Sequence, residues 1–139
     1  MNTERILRLA NFIESLPDER LDMCFWAKDE DGDENLEQSP ATVLHNCGTA
    51  ACIGGWTEAL FNPGRSTFLG TQGLWDESPA AVVPTDSAGD LLGLTVAQAH
   101  DLFMPPMTEP RLSWSDITPT IAADTLRRLA ETGRVEWRF

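Results

Sequence analysis

Two adjacent glycines inside an apolar segment, Gly54 and Gly55, constrain this chain more than any other feature. Ile53, Trp56 and Leu60 recur around them at helical spacing, so the segment reads as a helix entered through Cys47-Gly48-Thr49-Ala50-Ala51-Cys52, with Thr49 as its N-cap. Each glycine weakens a helix interior by about 1 kcal/mol relative to alanine. Such a helix requires another segment to approach its bare backbone closely. Ala51 and Gly55, four apart on one side, mark where that packing occurs. We read this face as structural packing, not as a ligand notch.

The other helices announce themselves through their ends. Asn2 or Thr3 caps a first amphipathic helix with Ile6, Leu9, Ala10, Ile13 and Leu16 on one face, and Pro17 ends it. Leu21 to Trp26 reads as a short strand or an irregular buried segment. Residues 87–103 read as a helix pair: Gly93 suits a left-handed stop, and Thr95 with Gln98 forms a capping box for the second member. Thr118 and Pro119 open the last helix, whose buried stripe is Ile121, Ala122, Leu126 and Leu129, and Gly133 closes it. Beyond it Val135, Trp137 and Phe139 alternate with Glu136 and Arg138, the pattern of a half-buried terminal strand. Residues 29–40 and 62–84 lack periodicity and read as loops. The expected fold is mainly α: one domain over residues 1–139, a compact bundle of about four to five helices with a short terminal strand or small sheet.

Charge narrows the function. The chain carries 22 acids against 10 bases, a net −12, and residues 18–37 hold −7 of it. Direct nucleic-acid binding is disfavoured, because it depends on clustered basic side chains neutralising phosphates. The helix pair at 87–103 has the core pattern of a helix-turn-helix reader, yet Thr95 to Phe103 contains no Arg or Lys and does contain Asp101. No stretch approaches the length of a membrane span. Three cysteines and no export signal imply a cytoplasmic protein with reduced thiols.

Chemistry-bearing residues are few. His45, Cys47 and Cys52, joined by Cys24, offer donors for a zinc site, although Cys-x4-Cys is not a compact zinc spacing. Placed in the first turn of its helix, Cys52 would sit where the macrodipole favours a thiolate, so Cys47 and Cys52 also suggest a redox pair. Two small half-buried thiols at a tight helix entry account for the same spacing structurally. A catalytic cysteine would need His45 or His100 as base, and neither spacing identifies a dyad. Asp29-Glu30-Asp31-Gly32-Asp33-Glu34 fails the calcium-loop pattern, since Gly32 precedes Asp33, where the pattern has its glycine after the third acidic ligand, and Pro40 occupies the twelfth position. Phosphate-cradling and serine-elbow motifs are lacking. Trp75 stands in a long loop as a candidate contact residue.

The run His45-Asn46-Cys47-Gly48-Thr49-Ala50-Ala51-Cys52-Ile53-Gly54-Gly55-Trp56, with Leu91-Leu92-Gly93-Leu94-Thr95 downstream, resembles small uncharacterised proteins of bacteria and their phages. The resemblance implies a phage or mobile-element setting and carries over no substrate or functional residue. The expectation is therefore a non-enzymatic, protein-binding domain. It would present Asp29, Glu30, Asp31, Asp33, Glu34, Glu37 and Trp75 to a basic protein surface, as an inhibitor of a host-defence or nucleic-acid-handling protein would. The alternative is a small zinc-binding or thiol-redox protein centred on Cys47 and Cys52, with His45 or Cys24 completing the site. The sequence sets no oligomeric state.

Overall fold

In a computed structural model that describes residues 1–69, 87–107 and 112–139, the local signals set most of the helices. The Asn2 side chain accepts from Arg5 N at 3.1 Å and starts α1, Thr3–Glu14. Thr118 caps α6, Pro119–Thr132, with Pro119 in its first turn, and Gly133 ends it at φ 75°. Ile6, Leu9, Ala10 and Ile13 of α1 face Ala122, Ala123, Leu126 and Leu129 of α6 within one buried cluster. This is the most extensive interface between described elements. Arg127 ties its rim by donating to both Glu14 carboxylate oxygens, at 2.6 and 3.1 Å, and to Asn11 Oδ1 at 3.0 Å. The guanidinium holds the Glu14 carboxyl below its ordinary range.

The glycine pair lies in α3, Ile53–Phe61, which is buried continuously from Ile53 to Ala59 and includes the carboxylate of Glu58. The expected close approach comes from Trp26. A Cβ on Gly54 would lie 2.1 Å from the Trp26 ring, and one on Gly55 would lie 2.0 Å from Trp26 O and 2.8 Å from Ala51 Cβ. Trp26 leads into β1, Ala27–Lys28, which pairs antiparallel with β2, Ala50–Ala51, in the register Ala27↔Ala51 and Lys28↔Ala50. Cys52 N donates to Phe25 O at 2.9 Å and continues the contact toward the start of α3.

This small sheet corrects two sequence expectations. Ladder bonds hold residues 50 and 51 extended, so α3 begins only at Ile53 and Cys52 takes the cap position. Thr49 is not the cap; its hydroxyl lies 3.0 Å from Val43 O and 2.7 Å from Asn46 O. The segment 134–139 forms no strand, because among the described residues it lies against helix α5 and no strand supplies it with ladder bonds. Its side chains still alternate, with Val135 and Trp137 half-buried between exposed Arg134, Glu136 and Arg138.

Three further helices complete the described fold. α2, Pro40–His45, is capped by Ser39, whose side chain accepts from Thr42 N at 3.1 Å. The pair α4, Ala88–Leu91, and α5, Val96–Phe103, is joined through Gly93 at φ 66°, and α5 opens with the expected Thr95–Gln98 capping box. The architecture is mainly α, with six α-helices and one two-stranded antiparallel sheet among the described residues. Of the loop expected over 62–84, residues 62–69 are described and contain no helix or strand. Phe68 within them is fully buried and donates through its N–H to Leu36 O at 2.8 Å. Trp75 lies outside the described residues. Among those residues no helix is long and apolar enough to cross a membrane.

The glycine seat predicts an order of damage. Gly55→Ala confronts backbone, which cannot rotate away, and should cost about 3 kcal/mol in urea unfolding; Gly54→Ala confronts one indole and should cost less. A Gly55→Ala chain as stable as the parent would contradict this packing.

Candidate functional site: an acidic wall beside two clefts

The acidic run folds into a turn that its own carboxylates hold. The main chains of Lys28 and Glu34 pair in an antiparallel bridge, Asn35 N donates to Ala27 O at 2.9 Å, and Gly32 takes φ 85° between them. Asp29 Oδ1 accepts from the N–H groups of Asp31 at 3.0 Å and Asp33 at 3.1 Å, so this side chain organises the turn. Glu34 Oε2 accepts from Trp26 N at 3.3 Å, and Glu30 accepts from the Asn46 side chain. Gly48 makes room for the Glu30 stem, since a Cβ there would stand 3.1 Å from Glu30 Cγ.

The structure thus divides the predicted acidic contact residues by role. Asp29, Glu30 and Glu34 build the turn and anchor it to the end of α2. Asp31, Asp33 and Glu37 are exposed, and their side chains make no hydrogen bond or ion pair among the described residues. Residues 30–34 are exposed, as expected of a loop, and the turn is ordered by the backbone N–H groups that Asp29 accepts.

Two adjoining clefts share Asp29, Glu30, Asp31 and Thr49 in their walls. One, of about 370 Å³, also takes in Glu19, Lys28, Gly32 and the segment from Cys47 to Ala50. The other, of about 310 Å³, reaches Gln38, Thr42 and Asn46. Four carboxylates and one ammonium line the pair, so this concavity favours a cation. On its floor the Gln38 Nε2 is buried and lacks a hydrogen-bond partner among the described residues, leaving a donor for a carbonyl oxygen.

Arg20 holds the back of these clefts, a role its position between Glu19 and Asp22 did not reveal. Its Nη2 donates to Val43 O at 2.6 Å and Asn46 O at 3.0 Å, and its Nε donates to Thr49 O at 3.2 Å. The guanidinium lies 4.9 Å from the Trp56 ring centroid, and Trp56 Nε1 donates to Arg20 O at 2.9 Å. No sequence motif encodes an arginine bound to carbonyls. α2 was also unforeseen, although Ser39-Pro40 ahead of Val43 and Leu44 is a usable start signal.

The cysteines are arranged differently from the zinc and redox expectations. Cys24, Cys47 and His45 are exposed, whereas Cys52 is buried. Among the described residues, no three His, Cys, Asp or Glu side chains are grouped to hold a metal ion. Burial pushes the Cys52 thiol up to about 12, outweighing the nearby backbone N–H groups at the α3 start, which act to lower it. Burial and the Asp22 carboxylate also raise the Cys24 thiol. Cys52 lies at the cap position and not in the first turn, and desolvation there favours the neutral thiol.

No family model, curated protein or solved structure matches the chain, so its chemistry rests on its own residues.

Thiol titration at pH 8 with an aromatic disulfide should modify Cys24 and Cys47 in the folded chain and Cys52 only once denaturant is added. Modification of all three without unfolding would contradict the burial of Cys52.

Proposed function

We propose that this chain is a non-enzymatic protein-binding domain whose acidic wall receives a basic surface of another protein. The observation that carries this reading is the division of labour in the acidic turn. Three carboxylates are spent on internal bonds that make the turn rigid, while Asp31, Asp33 and Glu37 project from it without partners among the described residues. A preorganised array of carboxylates loses little entropy on binding and steers a cationic partner by long-range attraction. The adjoining clefts can admit arginine or lysine side chains, and Gln38 can donate to a carbonyl beside them. The resemblance to small phage and bacterial proteins suggests the setting: an inhibitor that covers the basic face of a host-defence or nucleic-acid-handling protein. The chain itself would not bind nucleic acid, since its surface charge repels phosphate and α5 bears no Arg or Lys.

The test compares two charge reversals of equal size by calorimetric titration of an arginine-rich peptide. At low salt, Asp31→Lys with Asp33→Lys should weaken binding by about ten-fold or more, while Glu4→Lys with Glu131→Lys should weaken it by about two-fold or less. Added salt should erase the difference as the Debye length falls. Equal losses in the two variants would show that net charge alone attracts the peptide and would overturn the reading.

A further inference from the structure

The segment after α6 has strand chemistry but no strand partner. Val135, Trp137 and Phe139 fall on one side and Arg134, Glu136 and Arg138 on the other, the period-two alternation of an extended chain. The Trp137 and Phe139 rings stack 6.2 Å apart at 6°, as residues two apart on one face of an extended chain can. Two contacts hold the segment against α5: Gln98 Nε2 donates to Gly133 O at 2.9 Å, and Trp137 Nε1 donates to Asp101 O at 2.9 Å. Residues 135–139 make no main-chain hydrogen bond to the rest of the described chain. Within the segment Phe139 is 47% exposed, so apolar surface accompanies the open backbone. Such an edge is a template for another strand.

We propose that this segment pairs antiparallel with the same segment of a second copy, forming a two-fold symmetric dimer. The occupant follows from self-complementarity. In the register centred on Trp137, Glu136 faces Arg138 of the second copy and Arg138 faces its Glu136. On the other face Val135 meets Phe139, and the two Trp137 residues meet at the axis. Both charged pairs are opposite in sign, and aromatic and β-branched residues share the remaining face, the combinations that stabilise cross-strand neighbours. Symmetry makes the Glu136–Arg138 and Val135–Phe139 pairs occur twice each, with the Trp137 pair once at the axis. The field also favours this site. Arg134, Glu136 and Arg138 give 134–139 a net charge of +1 in a chain of −12, so the paired segments bring none of the excess acid into the contact. Within one copy Glu136 and Arg138 already lie 3.7 Å apart, both substantially exposed, and pairing exchanges one such loose contact in each copy for two across the ribbon.

Sedimentation velocity of the full chain over a concentration series tests the proposal, with circular dichroism confirming that each variant is folded. The parent should show a concentration-dependent dimer. Glu136→Arg puts like charges opposite one another in both pairs and should raise the dimer dissociation constant by about ten-fold or more, as should Arg138→Glu. The double exchange, Glu136→Arg with Arg138→Glu, restores opposite pairing and should recover the dimer. Asp31→Lys, in the acidic turn, should leave it unchanged. A monomeric parent at the highest attainable concentration would overturn the proposal. So would a dimer indifferent to both single reversals, or one lost through Asp31→Lys.

Discussion

The contact on which the rest of the structure depends is the Arg20 guanidinium, bound to main-chain carbonyls and stacked on Trp56. A guanidinium has five donors and no acceptor, and in an acidic chain a carboxylate is its expected partner. Here the carbonyls of Val43, Asn46 and Thr49 take that place. They come from the end of α2 and the segment just beyond it, where a helix leaves acceptors unmet and carries partial negative charge. One side chain thereby joins three main-chain acceptors, two of them shared with the Thr49 hydroxyl, and balances its own charge with dipoles. α2 has six residues, too few to persist as an isolated helix. Its existence follows from the tertiary contact, with Ser39 and Pro40 supplying only the start.

From that node the acidic wall can be traced outward. Arg20 sets the segment from Val43 to Thr49, whose Asn46 side chain anchors Glu30 and whose Gly48 receives the Glu30 stem. On the other side Trp26 rests on the bare backbone of Gly54 and Gly55, fixing β1 and therefore the start of the acidic turn. Both ends of the turn are thus tied to α3. The exposed carboxylates sit on a surface whose rigidity comes from buried apolar packing beneath them, which is the physical basis for treating them as a binding array.

Legibility in the sequence followed the range of the interaction. The ends of α1, α5 and α6 depend on residues three or four apart, so Asn2, Thr95 with Gln98, Thr118 and Gly133 could be placed from sequence. Gly54 and Gly55 announced a close approach without naming its source, because Trp26 meets them across 27 intervening residues or more. Thr49 has the chemistry of a cap, but pairing with Ala27 and Lys28 holds the following residues extended and moves the helix start. Residues 134–139 have a strand's alternation, a property of one segment; a strand also requires a neighbour. The acidic residues were identifiable as a group. Their division into builders and projecting groups was not, since it depends on backbone donors brought into position by the turn.

The most direct test of this account is native-state hydrogen exchange on Arg20→Met, which keeps much of the apolar stem and removes every donor. The account predicts that protection falls first at Asn46 and Thr49, whose amides donate to Thr42 O and Asn46 O, while α1 and α6 keep theirs. A uniform loss along the whole chain, or unchanged protection at Asn46 and Thr49, would contradict the claim that Arg20 holds the wall of the clefts to the core.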